Sequence, residues 1–491
     1  MTVKNYIAVD LGAESGRVML GAVSDDKVVL EEVHRFGNGP IEIDGALHWD
    51  FSKTLAEIKT GIGKAVEQTK GEVACIAVDS WGVDFGLLDA EGRLLEDPYH
   101  YRDNRTDGML EKAFEIVGKR AIYDRTGIQF MQLNTLYQLL AMQQSGDPIL
   151  KQAKTLLFTA DLYAYHLCGK AYAEYSLAST SQAMDMKTGQ WTEDIFEKLH
   201  LPLDIMPSVV QPGTIVGELT KEVAAEFNSP QIPVAAIGSH DTASAVAAVP
   251  ASAESGWAYL SCGTWSLLGV EIPKPVISDE TFEYQFTNEG GVNGTIRLLK
   301  NIMGLWLVQE CRRHWQTEGQ ELSYAELTEM ARKAAPFAAY IDPSHSAFLS
   351  PGKMPDKIND CLAQTGQKPI DDKGTMIRAI LESLALNYAW VLQQIEAMTG
   401  NPIDSLHLVG GGIQNELLCQ FAADATGKQV IAGPVEATAT GNILMQAKAT
   451  GQVESMKQIR QIVRNSFDVK EYLPKDSSAW QVQSEKYKPI S

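Results

Sequence analysis

Three aspartates stand where short apolar runs end. Asp10 closes Tyr6–Val9, Asp79 follows Ala74–Val78, and Asp241 comes just after Val234–Ile237. Short apolar runs bounded by turn residues read as strands, and α/β folds gather ligands at the carboxyl ends of their strands. A carboxylate placed there can take a proton from an alcohol, so Asp241 reads as a general base at the edge of a cleft. Asp241 or Ser239 could instead cap the helix that begins at this point. His240 between them reads as a hydrogen-bonding or packing histidine rather than a base. Asp79-Ser80-Trp81-Gly82 would wall the same cleft.

Asp10 leads into the turn Gly12-Ala13-Glu14-Ser15-Gly16, followed by Arg17. Glycines at 12 and 16 let backbone N–H groups approach a ligand closely, which suits a phosphate. A carboxylate before such a turn repels a phosphate unless Mg²⁺ stands between them, usually across retained waters. The bland alternative is a plain hairpin with an exposed aspartate. Two later features favour the phosphate reading. Ser261-Cys262-Gly263-Thr264 is a second small-residue turn between apolar runs, and Gly410-Gly411-Gly412 separates a strand from a helix. Three consecutive glycines cost backbone entropy, and contact of the main chain with a flat ligand or phosphate would explain them, as would a flexible turn. GxxxxGK[ST] is absent, and Gly12 and Gly16 have the wrong spacing for a dinucleotide fingerprint.

The elements that must hold these residues alternate. Val18–Val23 follows the first turn and Trp265–Val270 the second, giving two hairpins about half the chain apart. Lys53–Gln68 and Met376–Met398 carry apolar residues at helical spacing, the latter on one face. Ser405–Val409, Asn415–Ala425, Val430–Ala432 and Gly441–Thr450 repeat strand and helix, which means α/β layers with parallel pairing. A junction is expected near Ala245–Ala253, and the polar chain after Gly451 as a terminal helix with a loose end.

The chain has 491 residues, or roughly two to four domains at ~150 each. Lys and Arg total 42 against 62 Asp and Glu, a formal charge of −20. That charge disfavours nucleic acid and anionic membranes as partners. The six cysteines are scattered singly, which points to buried or neutral thiols rather than disulfides or zinc. No apolar stretch suits a membrane span or secretory leader, so a cytoplasmic location is expected.

The segments VDLGAESGRVML, VDSWGVDFGLLD, YRDNRTDG, GIQFMQLNTLYQL, SHDTASAV, YLSCGTWSL, TNEGG, LKNIMGLWLVQ, LVGGGIQN and AGPVEATATGN make the chain resemble the FGGY carbohydrate kinases over roughly residues 5–470. The resemblance implies an α/β fold of two ribonuclease-H-like domains on the actin-like ATPase plan, with an ATP and sugar cleft between them. It places a sugar-binding and catalytic domain over 1–246, a nucleotide-binding domain over 247–455 and a packed tail over 456–491. It implies ATP-dependent phosphorylation of a hydroxyl on a small-molecule ketose, with Mg²⁺. Asp241 would be the catalytic base. Gly82, His240, Thr242 and Asn301 would join it in binding substrate. Ala13, Glu14, Ser15, Gly16, Arg17, Thr264, Gln309 and Gly411 would meet the nucleotide, and Asp10 would hold the metal through water. Many sugar kinases of this type have Thr and Ser where Ala13 and Glu14 stand, which leaves phosphate binding to backbone donors and calls for Glu14 to point away. The sequence leaves open which ketose is used, whether monomer or homodimer forms, and a non-catalytic actin-like ATP-binding sugar sensor.

Overall fold

Strand β1 (Lys4–Leu11) is buried through its last six residues and turns back at Gly12 into β2 (Ser15–Val23), which pairs with it antiparallel. β3 (Val28–Gly37) continues the meander with mixed exposure, as an edge strand facing solvent should. Helix α1 (Phe51–Gln68) starts where the Asp50 side chain accepts a bond from the Lys53 amide. It buries Ile58, Ile62 and Val66, the spacing visible in the sequence. It leads to β4 (Cys75–Ser80), buried at every position and parallel to β1. Strands β5 (Thr214–Glu218) and β6 (Pro233–Ala236) complete a six-stranded sheet ordered β5-β6-β4-β1-β2-β3. Helix α2 (Thr159–Cys168) packs on β4, and α3 (Asp241–Ala247) follows β6.

The computed structural model describes residues 3–487, and the chain forms two α/β units. The first gathers residues 1–250, 271–298 and 437–467. The helix Ala437–Ala449 therefore belongs to the first sheet, where it packs on β1, β4 and α3.

The second unit repeats the plan. β7 (Trp257–Cys262) pairs antiparallel with β8 (Trp265–Ile272) and parallel with β9 (Ser405–Val409). β9 pairs parallel with β10 (Gln429–Ala432), and β11 (Lys470–Tyr472) adds an antiparallel edge. Helix α4 (Trp306–Thr317) precedes the long α5 (Lys373–Thr399), which ends at Gly400 in the left-handed conformation. One apolar face was expected of α5. It also buries Glu382, Ser383 and Asn387, and both the helix Tyr324–Lys333 and α6 (Glu416–Thr426) pack on it. The polar tail forms a helix (Met456–Ser466), β11 and a second helix (Ser477–Ser484). All six cysteines are buried and unpaired.

Candidate active site

The parallel core of the first sheet brings the three aspartates together. Asp10 and Asp79 sit opposite each other in the β1–β4 register. The Ser80 amide donates to the Ser239 carbonyl at 2.9 Å, and an isolated parallel bridge joins Ser80 to His240. That bridge ties the turn after β6 to the end of β4, so Asp241 arrives at the same sheet edge. The charges of Asp10 and Asp241 both act on the Asp79 carboxyl.

The three carboxyls differ in surroundings. Asp10 is nearly buried and accepts from Arg17 Nη2 on Oδ2 at 2.5 Å. Asp79 is wholly buried. Its Oδ2 accepts from Asn442 Nδ2 at 2.5 Å, and its Oδ1 has no hydrogen-bond partner. Burial, with the nearby Asp10 charge, pushes the Asp79 carboxyl well above the usual range. Asp241 keeps 34% of its side chain exposed, and its Oδ1 accepts from the Thr242 hydroxyl at 3.1 Å. Desolvation raises its carboxyl, and His240 and Thr242 work against that rise. Of the three, Asp241 has the carboxylate most open to an incoming hydroxyl.

Neither Ser239 nor Asp241 caps α3. The cap position falls on His240, without a side-chain cap bond, and Asp241 is the first helical residue. The Ser239 and His240 amides are already taken, by Glu174 Oε2 at 3.2 Å and Ser176 Oγ at 3.0 Å. Ser176 in turn donates to Glu174 Oε2 at 2.5 Å, and burial lifts the Glu174 carboxyl to about 7. His240 Nε2 is 3.5 Å from Asp241 Oδ1. Sequence reading missed Glu174 and Ser176, since buried partners far along the chain leave no local pattern.

The turn after Asp10 is braced by Asn38, the residue just past β3. The Asn38 amide donates to the Glu14 carbonyl at 3.0 Å, and Asn38 Nδ2 donates to the Gly12 carbonyl at 2.8 Å. Glu14 is exposed, Ala13, Ser15 and Arg17 are half-buried, and Gly16 is buried. Gly82 is needed for close packing, because a Cβ there would lie 2.8 Å from Thr180 Oγ1. Beside it, Asp84 accepts from the Trp49 and Trp81 indoles at 2.7 and 2.9 Å, from the Tyr101 amide and from Gln138.

In the second unit, Gln309 Nε2 lies 3.4 Å from Thr264 Oγ1, and the Gly304 and Trp306 amides bind the Thr264 carbonyl. Cβ atoms on Gly410 and Gly412 would press against Cys262, whereas one on Gly411 would meet nothing within 4 Å. Two of the three glycines are thus set by packing, and only Gly411 leaves open space for a ligand. Asn301 is half-buried in the strand Ile296–Met303.

Among the described residues, no group of three or more His, Cys, Asp or Glu is placed to hold a metal ion. A Mg²⁺ ion does not need one, since it keeps several waters and takes one or two carboxylates together with substrate phosphates. The Asp10 carboxylate, with the unpartnered Asp79 Oδ1 near it, fits that requirement.

The N-terminal domain of the FGGY family of carbohydrate kinases matches residues 5–248, and the C-terminal domain of that family matches residues 258–450. A rhamnulokinase of Bacteroides thetaiotaomicron is 43% identical over 477 residues, 97% of each chain. One of Bacillus subtilis is 40% identical over 472 residues, 96% of each chain. Among solved structures, a gluconate kinase from Lactobacillus acidophilus superposes with a TM-score of 0.81 at 16% identity, covering 99% of this chain and 97% of that one. A xylulose kinase from Rhodospirillum rubrum gives 0.79 at 18% identity, with 98% and 97% covered. These two likenesses concern the fold.

Proposed function

The chain belongs to the FGGY family of carbohydrate kinases, and from that premise we propose that it transfers the γ-phosphoryl group of ATP to the carbon 1 hydroxyl of L-rhamnulose, giving L-rhamnulose 1-phosphate and ADP in L-rhamnose breakdown. The observation that carries the mechanism is the partly exposed Asp241 carboxylate, the open one of three at a single sheet edge. The full-length likeness to proteins named rhamnulokinase supports the choice of ketose.

Phosphoryl transfer passes through a loose transition state, so positioning and charge neutralisation do most of the work. Asp241 accepts a hydrogen bond from the sugar hydroxyl, orients it, and takes its proton as the new P–O bond forms. Asp241 needs only modest basicity, because the alcohol becomes acidic late in the transfer. His240, Thr242, Gly82 and Asn301 are the proposed sugar contacts. The backbone of Ala13–Arg17 in the first unit, and Thr264, Gln309 and Gly411 in the second, are the proposed nucleotide contacts. Asp10 would hold Mg²⁺, with Asp79 near it. When bound, the ion neutralises phosphate charge. Asp241 and the contacts Gly82, His240 and Thr242 lie before about residue 246, and Asn301, Thr264, Gln309 and Gly411 lie after it. The reaction belongs in the cytoplasm, where ATP is supplied.

A coupled ADP-release assay with L-rhamnulose, L-fuculose and xylulose tests the substrate. The expected result is the highest kcat/KM on L-rhamnulose with a 1-phosphate product. Preference for another ketose overturns the sugar assignment, and ATP binding without sugar-stimulated ADP release overturns catalysis.

A further inference from the structure

Arg297 and Glu289 have no role in the scheme above, yet they pack directly behind the turn that carries Asp241. Arg297 is completely buried. Its Nε donates to the Gly290 carbonyl at 2.9 Å, and its Nη2 lies 3.0 Å from His240 Nδ1 and 3.1 Å from Glu289 Oε2. Nη1 has no hydrogen-bond partner. On the other side of the imidazole, Nε2 faces Asp241 Oδ1 at 3.5 Å. The His240 amide is fixed by Ser176 and the ring is held on its Nδ1 edge by Arg297, while Nε2 faces Asp241.

A guanidinium only donates hydrogen bonds. Nδ1 must therefore present its lone pair to Nη2, and the single ring proton of a neutral histidine then sits on Nε2, pointing at Asp241. A proton on Nδ1 would set two N–H groups against each other at 3.0 Å. Glu289 Oε2 also lies 3.3 Å from Nδ1, but Arg297 Nη2 is the nearer of the two at 3.0 Å and donates to Glu289 Oε2 as well. Burying this ion pair with one guanidinium nitrogen unmatched is unfavourable, and a pair of apolar side chains would fill the same space without that cost.

We propose that Arg297 is a positioning residue for the phosphoryl transfer: it holds His240 neutral with its proton on Nε2, so that His240 donates toward Asp241 Oδ1 and orients that carboxylate for the sugar hydroxyl. The proposal rests on the reading of Asp241 as the base. Wrong-tautomer variants of a base–orienter pair in other enzymes lose large factors in turnover, and a loss of ~10-fold or more is expected here for Arg297→Lys.

A double-mutant cycle tests this. Arg297→Lys should lower kcat at least ~10-fold in the wild-type background, with nucleotide affinity unchanged, and should lower it no further in a His240→Asn background. Equal fold losses in both backgrounds would mean that Arg297 does not act through His240, and would overturn the proposal. If Arg297→Lys does not fold, ring ¹⁵N spectra of the unmodified enzyme decide, with the His240 signals identified by their disappearance in His240→Asn. The neutral Nε2–H pattern near pH 7.5 is expected, and an Nδ1–H or imidazolium pattern overturns the assignment. The two readings fail separately. Full turnover in Asp241→Asn removes the base, whereas an inactive Asp241→Asn with an additive cycle removes only the role of Arg297.

Discussion

Asp84 accepts four hydrogen bonds and is still hard to ionise. Burial outweighs its indole, amide and Gln138 donors and lifts its carboxyl to about 6 from an ordinary 3.8. The folded protein therefore binds this proton more tightly than the unfolded chain does. Stability from this group is complete below pH ~4, falls as pH rises toward ~6, and is flat above. The loss is about 3 kcal/mol at ~1.4 kcal/mol per pH unit. Denaturant unfolding at pH 4.5 and 6.5 checks it: the wild-type chain should weaken relative to Asp84→Asn by a good part of that amount. Stability curves that stay parallel would contradict the assignment. For Asp10, Asp10→Asn should raise the Mg²⁺ concentration for half-maximal rate at least ~10-fold, and an unchanged metal titration would remove its metal role. At this scale the sequence was informative where chemistry is local. Asp10 and Asp241 declare themselves by ending apolar runs. Arg297 does not, since a cation in Ile296-Arg297-Leu298 reads as a residue facing solvent, and its partner His240 lies 57 positions away.

The elements hold the site through one close crossing. A Cβ on Gly441 would fall 1.8 Å from the Ser244 carbonyl oxygen, so the helix Ala437–Ala449 touches α3 backbone to backbone just beyond Asp241. From the same helix, Asn442 reaches Asp79, and Gln446 binds the Ile7 carbonyl at 2.9 Å. Gly441→Ala must part the two helices, an overpacking defect of about 1–3 kcal/mol. It should lower the melting midpoint and kcat together. A variant that melts normally with normal turnover would show that the crossing matters to neither. The hairpins, α1, β9 and β10 were legible because their patterns are local, with period 2 or 3.6. Their partners were not. Nothing in Gly441–Thr450 says which sheet the helix covers, and no periodicity announces that Asp10 pairs with Asp79 across a parallel register.

At the scale of the molecule, two α/β units matching the N- and C-terminal domains of one family make a carbohydrate kinase. The formal charge of −20 disfavours phosphate binding by a broad basic surface. No helix among the described residues is long and apolar enough to cross a membrane. The fold class could be read from alternating strands and helices and from the repeated hairpin. The sugar could not be read from any single residue and rests on similarity along the whole chain. The most direct test is steady-state turnover of Asp241→Asn with L-rhamnulose and saturating Mg·ATP, alongside calorimetric ATP binding to the same variant. A fall in kcat of at least ~10²-fold with ATP affinity intact is the result predicted here; turnover near the wild-type rate would contradict it.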